Sequence, residues 1–110
     1  AKLGQADAII ISFAEHNGSY TAAYKNLFDW TSRIDMKLFQ NKAMVLLATS
    51  PGPGGANTVL TAATNSAPYF TADVKASLSI PSFFDNFDME NKVISNAKIL
   101  DQLQSALASL

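Results

Sequence analysis

Ala8-Ile9-Ile10-Ile11-Ser12-Phe13-Ala14-Glu15-His16-Asn17-Gly18-Ser19-Tyr20 passes from an uninterrupted apolar, β-branched run into a polar loop carrying one glycine. Strands in which polar and apolar residues do not alternate are covered on both faces, the condition of a parallel sheet. Ala8–Ile11 therefore reads as an interior strand. Ser19 can then cap a helix running to about Ile34, because Tyr20, Ala23, Tyr24, Leu27, Thr31 and Ile34 fall on one stripe at three- and four-residue spacing. Lys25, Asp29 and Arg33 stand four apart on the other side, a row expected on a solvated helix face. A strand that breaks off into a polar loop and a helix makes a ligand-binding corner, since parallel sheets take small molecules beyond the carboxyl ends of their strands.

Downstream, Asn41-Lys42 reads as a turn and Ala43–Ala48 as a second, central apolar strand. It runs into Thr49-Ser50-Pro51-Gly52-Pro53-Gly54-Gly55, where glycines let backbone N–H groups approach a ligand and prolines hold the shape. The helix that follows turns Ala56, Val59, Leu60, Ala63 and Ala67 inward and ends at Pro68. Val74, Ala76, Leu78 and Ile80 then alternate with Asp73, Lys75, Ser77 and Ser79, the pattern of an edge strand with one wetter face. Phe83-Phe84-Asp85-Asn86-Phe87 is expected to be a loop packed under its own rings. A last helix from near Ser95 toward Leu110 carries Leu100, Leu103, Leu107 and Leu110 inward. Strand and helix follow each other three times, so the class is α/β with a parallel sheet.

The 110 residues are 48% hydrophobic and 15% charged, which suits a single globular domain. A net charge of -1 without a basic stripe argues against nucleic acid as a partner. No apolar run approaches the roughly 20 residues of a spanning helix, so no membrane segment is expected and a cytoplasmic location is. With no cysteine and His16 the single histidine, disulfides, thiolate chemistry and the common zinc sites drop out. The Ser50–Gly55 loop fits neither the nucleoside triphosphatase nor the dinucleotide glycine spacing, and a Gly- and Pro-rich turn alone is a weak signal.

Two segments together carry more. Ala14-Glu15-His16-Asn17-Gly18-Ser19-Tyr20-Thr21, followed by Tyr24-Lys25-Asn26-Leu27-Phe28-Asp29-Trp30, resembles the second flavin-contacting loop of the NAD(P)H-dependent FMN reductases. Its usual form there is Pro-Glu-Tyr-Asn-Gly-Ser-Tyr-Pro and then a Leu-Lys-Asn-Ala-Ile-Asp-Trp helix. Ser50-Pro51-Gly52 with Gly54-Gly55 is similar to the family's third flavin loop. The resemblance implies a flavodoxin-like, doubly wound parallel sheet, of which residues 1–110 form the C-terminal portion of one FMN-binding domain. The family's first strands and its Ser/Gly/Arg-rich phosphate loop have no counterpart here.

The same resemblance assigns Ala14, Glu15, His16, Asn17 and Ser19 to FMN on one side and Ser50, Pro51, Gly52 and Gly55 on the other, largely through main chain. His16, whose imidazole is smaller than a phenol ring, stands where the family has Tyr. Trp30 and Asn26 read as structural. The implied activity is an oxidoreductase passing a hydride from NADPH or NADH to bound FMN and on to a quinone, azo compound, flavin or metal oxyanion, with the cofactor carrying the chemistry. The rivals are a non-catalytic flavodoxin-like assembly module and an electron-transfer flavodoxin. A homo-oligomer through the helix after the first loop is expected by analogy. So is an N-terminal segment paired beside Ala8–Ile11, whose open edge invites pairing, while a half-bare sheet face would leave Val45, Leu47 or their neighbours poorly covered.

Overall fold

A computed structural model describes all 110 residues. In chain order they form α1 (Lys2–Gln5), β1 (Ala8–Phe13), β2 (Glu15–His16), β3 (Ser19–Tyr20), α2 (Ala22–Ile34), β4 (Ala43–Thr49), α3 (Asn57–Ser66), a 3-10 turn (Ala67–Phe70), β5 (Asp73–Ile80), α4 (Phe83–Asn86), β6 (Phe87–Asp88), β7 (Val93–Ile94) and α5 (Ala97–Ala108). β1, β4 and β5 make one parallel sheet in that order. The α/β class is as expected, and β4 is the central strand. β1, read as interior, is an edge of this three-stranded sheet, and Ile10 on it is 52% exposed.

Side chains on alternate faces of β4 build two cores. Met44, Leu46 and Ala48 join Ile9 and Phe13 of β1 and Val59, Leu60 and Ala63 of α3 in the larger one, with Leu38, Phe39, Ala56 and Ala67. Val45 points the other way and is fully buried, and α5 packs on β5 with Ile99 and Ala106 buried outside the larger cluster. The second face is therefore covered over β4 and β5, and the poor cover expected at Val45, Leu47 or their neighbours is found at Ile10, which pairs with Val45 in register. Between Met44 and Val45 the register with β5 slips by one. Val74 stays with Met44 in the larger core, while Ala76 and Leu78 stand opposite Val45 and Leu47.

Three helix details differ from the periodicity argument. α2 is capped by Thr21, whose Oγ1 accepts from the Tyr24 N–H at 3.1 Å, and Ser19 is instead paired in a small hairpin. Tyr24, Phe28 and Ser32 face inward, leaving Leu27 (68%) and Ile34 (87%) exposed beside Trp30 (69%). In α5 the buried residues are Ile99 and Ala106, with Leu100, Leu107 and Leu110 partly exposed. The charge row is as expected: Lys25 Nζ meets the Asp29 carboxylate at 2.9 Å in solvent. Phe83 lies edge-on to Phe84 and stacks on Phe87, so the expected ring cluster exists, built on one helical turn and the β6–β7 hairpin.

Candidate functional site

Parallel pairing of β1 with β4 brings the segments after Phe13 and after Thr49 to the same end of the sheet. The first is a hairpin: Glu15 pairs with Tyr20 and His16 with Ser19, across Asn17 and Gly18. Both turn residues have positive φ, 51° and 78°, as a two-residue turn matched to the strands' twist requires. Ala14, His16, Asn17 and Ser19 are exposed and Glu15 is half-buried.

Glu15 joins the two segments. Its Oε1 accepts from the Val59 N–H at 2.7 Å, across 44 residues of sequence. α3 needs such a partner, because the first turn of a helix leaves N–H groups unpaired and its N-cap residue, Ala56 at φ 57°, has no side chain to offer. A carboxylate there also faces the positive end of the helix dipole. The carboxylate thus serves α3, and what the hairpin presents outward is main chain and the His16, Asn17 and Ser19 side chains.

Ser50–Gly55 is fixed by a third segment that the sequence argument did not single out. Gly52 O accepts from the Ser82 N–H at 2.8 Å and from Ser50 Oγ at 3.2 Å, and the Phe83 N–H donates to Ser50 O at 3.0 Å. Gly55 is buried at φ 61°, and a Cβ there would collide with Ser79 Oγ and meet Pro81 at 3.0 Å. Its lack of a side chain is a packing requirement between loop and β5. Around Gly52 and Gly54 there is open space. Ser79-Ile80-Pro81-Ser82 had one legible signal, a proline closing a strand that must end beside the other two.

On both loops, backbone donors are left over. The N–H groups of Ala14, Asn17, Gly52 and Gly54 meet no protein acceptor. Unpaired donors from two adjacent strand ends suit the pyrimidine edge of a planar heterocycle with several acceptors. The candidate residues Ala14, Glu15, His16, Asn17, Ser19, Ser50, Pro51, Gly52 and Gly55 are gathered at one end, with Glu15 tying the hairpin to α3 and Gly55 packing its loop against the end of β5.

Below the hairpin, α2 stands off the sheet on a layer of rings running Phe13, Tyr20, Tyr24, Phe28 and Phe70 at centroid separations of 4.7–5.9 Å. The Tyr20 hydroxyl lies 3.4 Å from Ser66 Oγ. Burial, with Tyr20 adding to it, pushes the Tyr24 phenol from 10.0 up to about 12. No helix is long and apolar enough to cross a membrane.

The fold is similar to that of FerB, a flavoenzyme NAD(P)H:(acceptor) oxidoreductase from Paracoccus denitrificans, at a TM-score of 0.74 and 22% identity. The match covers 98% of this chain and 61% of that one, so the chain spans less than two thirds of its structural relative. At that identity the likeness concerns the fold, which is flavodoxin-like. No curated protein matches. The family model for NADPH-dependent FMN reductase matches residues 1–85, which contain both loops and all three strands of the sheet, and the chain belongs to that family.

Proposed function

We propose that the hairpin Ala14–Ser19 and the loop Ser50–Gly55 hold the ring end of FMN in a flavoprotein oxidoreductase that uses NAD(P)H. The observation that carries this is the set of unpaired N–H groups on two loops at adjacent strand ends, the first tied by the Glu15 carboxylate to the helix that follows the second, in a member of this family. FMN, when bound, supplies the hydride chemistry between the reduced nicotinamide and an acceptor. The chain's own part is to donate hydrogen bonds from Ala14, Asn17, Gly52 and Gly54 and to keep both loops from moving apart. No titrating side chain is required at the reacting atoms. Quinones, azo compounds, free flavins and metal oxyanions are the candidate acceptors.

Leu27, Trp30 and Ile34 give α2 an exposed apolar outer stripe, and Met36 in the turn after it is exposed as well, which supports self-association through this helix. Isolated apolar residues at a surface are ordinary, but three on one helix face are a patch. A cytoplasmic location remains part of the reading.

Reconstitution with FMN tests the function. A yellow protein that oxidises NADPH in the presence of a quinone supports it. A yellow protein without NADPH oxidation would make it an electron-transfer flavodoxin, and a colourless one that takes up no FMN would make it an assembly module.

A further inference from the structure

The space beneath α2 is a cavity of about 330 Å³, lined mainly by Phe13, Tyr24, Phe28, Phe39, Leu46 and Ala63. It lies on the flank of the sheet under the helix, away from the free N–H groups of Gly52 and Gly54. We propose that this cavity is a second binding site, for a small neutral aromatic molecule of one or two rings carrying a hydrogen-bond acceptor such as a ketone.

Size, lining and polarity all point to that class. Sites for small molecules are concave, largely apolar and aromatic, and about this large or larger, with few polar groups to fix orientation. Here the walls are rings and aliphatic side chains, whose faces and edges suit a flat guest. The polar groups inside are hydroxyls: Tyr20 and Ser66, close enough to share one hydrogen bond, and Tyr24. The Tyr24 hydroxyl donates to no protein group and is not sealed away as a buried unpaired atom, so it is free to donate to a guest. Its raised pKa keeps it a donor throughout the physiological range.

An ionic guest is disfavoured, because the charges at the cavity are Lys25 and Asp29, which neutralise each other at 2.9 Å on the exposed rim. Burying an unpaired charge among these rings would be costly. A peptide is disfavoured by volume. The walls also connect to the loops, since Phe13 ends β1 and Tyr20 closes the hairpin that carries Asn17. A guest would stiffen the base of that hairpin.

The test uses 1-tetralone, a neutral bicyclic ketone, with the whole chain, first without FMN and then with it. Methyl NMR of Ile11, Leu46 and Ala63 should shift saturably on titration. Ala62→Phe, which narrows the cavity from an exposed position on α3, should weaken binding on the order of tenfold, and Tyr24→Phe by about three- to tenfold, the range of one hydrogen bond. Leu27→Ala, on the outer face of α2, should leave it unchanged. FMN binding should persist in every variant, so failure here is separable from failure of the flavin reading. Unshifted cavity methyls, equal affinity in Tyr24→Phe and Ala62→Phe, or shifts confined to the two loops would each overturn the proposal.

Discussion

Replacing Glu15 by alanine removes the bond that ties the hairpin to α3, and its cost can be worked from the geometry. The Oε1 to Val59 N distance of 2.7 Å is short for N–H to O and typical of a charge-assisted bond. Hydrogen bonds to charged groups contribute about 1.5–3 kcal/mol, with part of that being the attraction between a carboxylate and a helix N-terminus, about 0.3–1 kcal/mol. Glu15 is half-buried, which keeps the value from the top of the range. We expect Glu15→Ala to lower stability by about 2 kcal/mol and Glu15→Gln, whose amide oxygen can still accept, by about 0.5–1 kcal/mol. Urea unfolding at neutral pH measures both, and repeating it at high salt should shrink the gap between Gln and wild type. FMN affinity should fall in the same order, because the two donor sets lose their common anchor. Stability of the alanine variant within about 0.5 kcal/mol of wild type, the range of ordinary surface substitutions, would refute the claim that this carboxylate anchors the loops.

Gly55→Ala should destabilise by about 1–3 kcal/mol, the range for a residue forced into a left-handed backbone, with the collision at Ser79 adding to it; thermal unfolding checks this. Gly52→Val, at a position with open space around it, should weaken FMN binding while the urea midpoint stays close to wild type. The Tyr24 phenol gives a pH signature: it ionises near 10.0 in the unfolded chain and near 12 in the folded one, so stability should be level below pH 10 and fall between pH 10 and 12. Urea midpoints at pH 9 and 11 should show that fall, and Tyr24→Phe should remove most of it.

Much of the architecture was legible because it rests on strong, local signals. The apolar runs at Ala8–Ile11 and Ala43–Ala48 mark parallel strands whatever surrounds them, and the alternation from Asp73 to Ile80 marks an edge. The two loops could be put side by side because parallel strands send their carboxyl ends the same way. Faces of helices were harder. In α2 the stripe through Leu27 and Ile34 is as apolar as the one through Tyr24 and Phe28, and only the rings of Phe13, Phe39 and Phe70 across the gap decide which turns inward. The same holds for α5, where Ile99 and Ala106 are buried, Leu103 between them is half-buried, and Leu100, Leu107 and Leu110 are exposed. The second role of Glu15 was hidden for a different reason. It depends on a left-handed Ala56, which leaves α3 without a cap of its own, and no spacing rule links positions 44 residues apart.

Trp30 is the chain's single tryptophan and sits 69% exposed on the outward stripe of α2, on the opposite side of that helix from the rings. Its emission will accordingly be that of an indole in water and will change little when the core melts, so intrinsic fluorescence is a poor thermometer for this fold. The same placement makes it a clean optical sensor of anything that comes to lie on α2 from outside. A concentration-dependent blue shift at constant circular dichroism would register contact there without a label.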